Sequence, residues 1–85
     1  MNIDELPAGT LILEPQSYLN KAIIGFETVL IYDYELLIDS FMEMFREETQ
    51  SLDAAYHMSR EWIDFNILCS SEIMDNIIIK FEEMR

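Results

Sequence analysis

Residues 22–38 read A-I-I-G-F-E-T-V-L-I-Y-D-Y-E-L-L-I, and this stretch decides the fold class. It begins with two apolar runs rich in β-branched and aromatic residues, 22–26 and 29–32, which are separated by two polar residues. Runs of this composition favour strands, and their short separation favours a β-hairpin. Because the connection lacks an Asn-Gly or Asp-Gly pair, we expect Gly25 to supply the left-handed residue of a bulged turn.

A helix is predicted directly after the hairpin, with Asp33 as its N-cap and an end near Arg46. The Asp33 carboxylate can accept the amide hydrogens that the first helical turn leaves without partners. Apolar residues then recur at steps of three and four, which places one stripe of the helix against a core. The members of this stripe are Tyr34, Leu37, Ile38, Phe41 and Phe45.

A second helix is predicted after a polar loop at residues 47–50, with Ser51 as its N-cap and an end near Leu68. One packing face of this helix contains Leu52, Ala55, Tyr56, Ser59 and Ile63. A neighbouring face contains Met58, Trp62, Phe65 and Cys69. Because exposed aromatic side chains often anchor protein interfaces, Met58, Trp62 and Phe65 are a candidate apolar interface, and burial within the monomer is the alternative.

The two ends of the chain complete the prediction. Residues 10–14 (T-L-I-L-E) are predicted to form a strand that a proline terminates. Residues 71–84 fit either a helix capped by Ser71 or a strand at 77–81, and three consecutive isoleucines favour the strand. The expected fold is a single α+β domain over residues 1–85. Its small antiparallel sheet, made of the N-terminal strand, the hairpin and a possible C-terminal strand, packs against two helices.

The net charge restricts the choice of partners. The chain has 17 Asp and Glu against 5 Lys and Arg, which gives a formal charge of −12. Such a protein is repelled by phosphate backbones and anionic lipids, so we expect a basic protein partner and no direct binding to nucleic acid or membrane. The alternative is that the charge only maintains solubility.

The remaining composition indicates a cytoplasmic protein. No apolar run approaches the ~20 residues of a membrane-spanning helix, and the N-terminus lacks the features of a secretory signal. Cys69 is the single cysteine, so it cannot form an internal disulfide, and we expect it to be a structural thiol.

Signatures of catalysis and metal binding are sparse. The only histidine, His57, lies four residues from both Asp53 and Glu61, a spacing that also arises from ordinary charge pairing on a helix. No serine has a histidine at a suitable local spacing, and the two glycines form no phosphate-binding loop. We therefore expect no catalytic residues, no metal and no cofactor. A small metal-dependent enzyme that uses His57 is the alternative.

Acidic residues recur every four positions on the first predicted helix, opposite its apolar stripe. This carboxylate row consists of Glu35, Asp39, Glu43 and Glu47. Like charges at this spacing cost ~0.2–0.5 kcal/mol per pair, and in the sequence only Arg46 is placed to offset the cost. We hypothesise that the row imitates phosphates and enters a basic groove that otherwise holds nucleic acid; a solvated helix face is the alternative. The residues expected to extend the acidic face are Glu48, Asp53, Glu61 and Asp64.

Two stretches resemble short uncharacterised proteins of phage and prophage type. In that group an A-(L/I)-I-G motif precedes V-Y-D-Y and a helix, as in residues 22–38 here. Residues 55–66 (A-Y-H-M-S-R-E-W-I-D-F-N) are similar to the group's second helix, whereas its glycine-rich tail is replaced by C-S-S-E-I-M-D-N-I-I-I. The resemblance implies a mobile-element origin and a hairpin followed by two helices and a terminal strand. It implies no activity.

The leading interpretation is a small acidic protein-binding module. We expect a phage-encoded inhibitor of a host defence or nucleic-acid-handling complex, of the anti-CRISPR type, that acts through its acidic helix face. An antitoxin or immunity protein that neutralises a basic toxin fits the composition equally well. A homodimer is a further expectation, because domains this small often gain stability from oligomerisation.

Overall fold

The computed structural model describes residues 3–81 and confirms the α+β class. The described helices are Gln16–Leu19 (α1), Tyr34–Thr49 (α2), Leu52–Ile63 (α3) and Ser71–Met74 (α4). The described strands are Ile23–Phe26 (β1), Leu30–Asp33 (β2) and Ile77–Lys80 (β3). Turns of 3-10 helix lie at Ile3–Glu5 and Asn20–Ala22, and a π-helical turn at Asp64–Leu68 follows α3.

The predicted hairpin is present, and its β-bulge lies within β1 and not in the turn. β1 and β2 pair antiparallel, with Ile23 opposite Tyr32 but Gly25 opposite Ile31, so Ile24 is the extra residue of a β-bulge. The prediction that Gly25 is a left-handed turn residue is wrong, because Gly25 lies within β1 and has no positive φ. Residues 27–29, none of which is a glycine, form the turn between the two strands.

The sheet is mixed, with strand order β1–β2–β3. β3 runs parallel to β2, so that Leu30 lies opposite Ile77 and Asp33 lies opposite Lys80. The expectation of an antiparallel sheet is therefore wrong for this pair. A parallel partner requires a crossover connection, and the helical segment from α2 to α4 supplies it by returning the chain to the beginning of β2.

The C-terminal segment forms both a short helix and a strand, the two structures between which the sequence did not decide. α4 is a short helix capped by Ser70, not by Ser71, because the Ile73 N–H donates to the Ser70 hydroxyl at 3.3 Å. β3 then follows at Ile77–Lys80, as the isoleucine run predicted. Residues 82–84 of the segment lie outside the described residues.

The predicted strand at residues 10–14 is wrong. The segment pairs with none of the three described strands, and β1 and β3 form the two edges of the sheet. Its Leu13 N–H instead donates to the Tyr32 hydroxyl at 2.9 Å, while the Leu13 side chain is buried in the core. Strand propensity reports how well a side chain fits a pleated surface, and it does not supply a pairing partner.

Both long helices begin at the predicted caps. The Leu36 N–H donates to the Asp33 carboxylate at 2.9 Å, and the Ala54 N–H donates to the Ser51 hydroxyl at 3.3 Å. α2 continues to Thr49, so the predicted end near Arg46 and the loop at residues 47–50 are wrong. Gln50, with a left-handed φ of 58°, ends the helix and leaves a very short connection to α3.

α2 and α3 form an antiparallel pair. The Phe41 ring packs on the Trp62 ring with centroids 4.8 Å apart. Ser40 and Ser59 are fully buried, and each hydroxyl donates to the carbonyl four residues earlier in its own helix, at 2.8 and 2.7 Å. Because these bonds satisfy both buried hydroxyls, the two serines need no hydrogen-bond partner on the facing helix.

One hydrophobic core joins the sheet and the helices. Its buried members are Leu13, Leu19, Ala22, Leu30, Tyr32, Leu37, Ile38, Phe41, Ile63, Ile67, Ile77 and Ile79. The predicted stripe of α2 therefore supplies three of these residues, while Tyr34 and Phe45 are only partly buried. Among the described residues, no helix is both long enough and apolar enough to cross a bilayer.

Candidate protein-binding surfaces

The carboxylate row lies along the solvent side of α2. Glu35, Asp39, Glu43 and Glu47 are all exposed. Each step of four residues advances about 40° around the helix, so the row turns gradually while staying opposite the stripe that includes Phe41. Because α2 is continuous over 16 residues, one rigid element holds all four carboxylates.

One member of the row has a cationic partner that the sequence did not reveal. The Lys21 ammonium, in the 3-10 turn Asn20–Ala22, pairs with the Glu43 carboxylate. The two residues are 22 positions apart, so no local spacing could have indicated the contact. Both side chains are about half exposed, so the pair stabilises the fold by no more than ~1 kcal/mol. Within residues 3–81, Glu35, Asp39 and Glu47 form no ion pair, and neither does Arg46.

The structure does not bring the other predicted acidic residues onto this row. Asp53 and Glu61 are exposed on α3, opposite its buried residues Ala55 and Ser59, and Asp64 is half-buried in the π-helical turn. Since α2 and α3 contact each other through their buried stripes, their acidic faces point to opposite sides of the helix pair. Helical rotation places Glu48 about 20° from Phe41, which is on the far side of α2 from the row.

The second predicted surface, the apolar interface, is exposed. Met58, Trp62 and Phe65 have 37%, 38% and 74% of their surface accessible. Together with Phe45, Glu61 and Asn66 they line a groove of about 310 Å³, here called the Trp62 groove. The prediction that Cys69 belongs to this packing face is wrong, because Cys69 is exposed.

A second groove lies on the other side of Trp62. It has a volume of about 240 Å³ and shares Trp62 and Asn66 with the Trp62 groove. Its remaining lining residues are Leu11, Ile12, Leu13, Glu14, Leu19, Ile67 and Ile73. Here it is called the N-terminal groove, since residues 11–14 form one wall. The sequence did not predict this groove, because its walls come from three separate parts of the chain.

Arg60 lies in the last turn of α3 and is not part of the carboxylate row. A hydrogen bond with Tyr34, together with the nearby Tyr56, raises the pKa of Arg60. The guanidinium carbon also lies 5.8 Å from the centroid of the Tyr56 ring, within the range of a cation–π contact. This cation therefore joins the start of α2 to the later part of α3.

His57 forms a surface pair with Asp53. The His57 Nε2 atom lies 3.7 Å from a carboxylate oxygen of Asp53, and both side chains are largely exposed. Across the described part of the chain, no group of three or more His, Cys, Asp or Glu side chains is arranged to hold a metal ion.

The described residues thus present two kinds of surface: a charged row on α2 and apolar grooves on both sides of Trp62. The row suits electrostatic attraction, whereas the grooves can bury apolar side chains. A comparison of the chain with protein-family models, with curated proteins and with solved structures found no match.

Proposed function

We propose that this chain is a small acidic protein-binding module that docks the carboxylate row of α2 against a basic surface of another protein. The observation that carries the proposal is the exposure of all four carboxylates along one uninterrupted helix. Three successive like-charge pairs destabilise that helix by ~0.6–1.5 kcal/mol in total. Lys21 offsets part of this cost at Glu43, and a cationic partner would offset the remainder.

Within this class, we propose an inhibitor that occupies a basic groove otherwise filled by nucleic acid. Successive carboxylates of the row are ~6 Å apart along the helix axis, whereas one DNA strand has a phosphate every ~3.4 Å. The row therefore offers about half the charge density of a strand, and the net charge of −12 adds a long-range attraction. A host defence complex is the class of target that the resemblance to phage and prophage proteins suggests.

The first experiment is capture of the target. The chain is immobilised and exposed to a host lysate at low and at high salt, and bound proteins are identified by mass spectrometry. We expect a basic, nucleic-acid-binding complex that dissociates as the salt concentration rises, because exposed charge pairs are screened. Capture of only neutral or acidic proteins, or of none, would contradict the proposal.

The second experiment locates the contact with matched charge reversals. Asp39→Lys with Glu47→Lys changes the row, and Asp53→Lys with Glu61→Lys changes the opposite side of the helix pair. Each double variant replaces two negative charges by two positive ones, so both shift the net charge from −12 to −8. We expect the row variant to associate with the captured partner ~10-fold or more slowly and with a weaker salt dependence. Equal effects in the two variants would show that only net charge matters.

A further inference from the structure

Residues 10–13 have the composition of a strand but, within the described part of the chain, no strand partner. They run without helix, turn or bend, and they pair with none of β1, β2 and β3. The segment is rich in β-favouring side chains, which fit best when they can pack against a neighbouring strand. Leu13 is buried in the core, and Leu11 and Ile12 pack against it, so the segment is held in place.

The hydrogen bonds of this segment show which edge is available. The Leu13 N–H donates to Tyr32, which directs one edge of the segment toward the core. Within residues 3–81, the N–H groups of Leu11, Ile12 and Glu14 and the carbonyls of residues 11–13 have no protein partner. Successive residues of an extended chain direct these groups to opposite edges. The N–H and C=O groups of Ile12 and the N–H of Glu14 therefore face away from Tyr32.

We propose that residues 11–14 are the edge to which an extended peptide of a partner protein adds as a β-strand. The main-chain groups of Ile12 and Glu14 supply the hydrogen bonds, and the N-terminal groove accepts an apolar side chain of the peptide. This mode of recognition takes affinity from the backbone and specificity from pockets for alternate side chains. The surface shares no residue with the carboxylate row, so this proposal does not depend on the one above.

The charge of the N-terminal groove indicates what kind of peptide it can bind. Among residues 3–81, Glu14 is the only charged residue that lines the N-terminal groove, and none of the described cations lines it. A peptide in which apolar residues alternate with Lys or Arg matches this surface, because its cations can lie beside Glu14. A second copy of the chain fits less well, since each copy has a net charge of −12 and the two would repel each other.

The first test selects peptides without assuming their sequence. A display library of random twelve-residue peptides is panned against the immobilised chain. We expect enrichment of peptides that alternate β-branched or aromatic residues with Lys and Arg. No enrichment, or enrichment of acidic, proline-rich or helix-forming peptides, would overturn the proposal.

The second test distinguishes strand addition from simple apolar contact. The most enriched peptide is synthesised with N-methyl groups at one or the other alternate set of backbone positions. In a strand pair only one of the two sets donates across the interface. We therefore expect one methylated peptide to bind at least tenfold more weakly and the other to bind within about threefold of the parent peptide. Equal losses, or no loss in either peptide, would overturn the proposal.

The third test uses the protein's own edge. Ile12→Pro removes the N–H that the proposal pairs with the peptide, whereas Ile12→Ala keeps that N–H and shortens the side chain. We expect Ile12→Pro to weaken peptide binding by at least tenfold, and Ile12→Ala to weaken it by less. Thermal unfolding checks that both variants fold. Equal losses in the two variants would contradict the assigned edge. If sedimentation experiments show that the parent chain is a dimer and that Ile12→Pro dissociates it, the occupant is a second copy and the proposed peptide is wrong.

Discussion

Tyr32 forms the hydrogen bond that ties residues 10–14 to the sheet, and the loss of this bond can be tested by mutation. The side chain is fully buried on β2, and its hydroxyl accepts the Leu13 N–H at 2.9 Å. In Tyr32→Phe the ring remains, but the buried N–H of Leu13 loses its acceptor. Leaving such a group unsatisfied costs about 1–3 kcal/mol. In a domain of this size, each 1 kcal/mol lowers the thermal midpoint by about 4–8 °C.

The assay is thermal and urea unfolding of the parent and the variant, followed by circular dichroism. We expect the thermal midpoint of Tyr32→Phe to fall by about 4 °C or more. Tyr18→Phe is the matched control, because Tyr18 is only partly buried and its hydroxyl forms no hydrogen bond within the described residues. If Tyr32→Phe is as stable as Tyr18→Phe, the bond does not hold the segment and the reasoning is refuted.

The same tyrosine predicts a dependence on alkaline pH. Burial raises the pKa of Tyr32 above its ordinary value of 10.0, and the hydrogen bond from Leu13 opposes this change without cancelling it. The unfolded chain therefore loses the proton first, so the free energy of unfolding is unaffected below pH ~10 and falls as the pH rises beyond it. This contribution is at most ~1.4 kcal/mol per pH unit. Tyr32→Phe should lack it, which urea unfolding across the alkaline range would show.

Two further substitutions test the helix pair. Ser59→Leu forces extra volume into a fully buried position of α3, and we expect the free energy of unfolding in urea to fall by about 1–3 kcal/mol. The control, Glu61→Leu on the exposed face of α3, should change this free energy little. Ser51→Ala removes the acceptor of the Ala54 N–H at the start of α3 and should cost about 0.5–2 kcal/mol, while Ser51→Asp should retain most of the stability because it keeps a capping oxygen.

Features that depend on neighbouring residues were predictable. The caps at Asp33 and Ser51 follow from the side chains that begin each helix, and the buried stripe of α2 follows from its spacing. The exposure of the carboxylate row follows from the same spacing, because residues opposite an apolar stripe face solvent. The end of α2 was misplaced, since Gln50 adopts the left-handed conformation that ends the helix and no glycine signals it.

By itself, the sequence determined the α+β class, the hairpin, the two capped helices and the acidic face of α2, because short-range periodicity and hydrogen bonding set these features. Tertiary structure decided the parallel direction of β3, the contact of Leu13 with Tyr32, the Lys21–Glu43 contact and the grooves beside Trp62. Each of these features depends on contacts between residues that are far apart along the chain. A residue's strand propensity or charge describes what it can pair with, but only the packing of the whole chain decides which partner comes within reach.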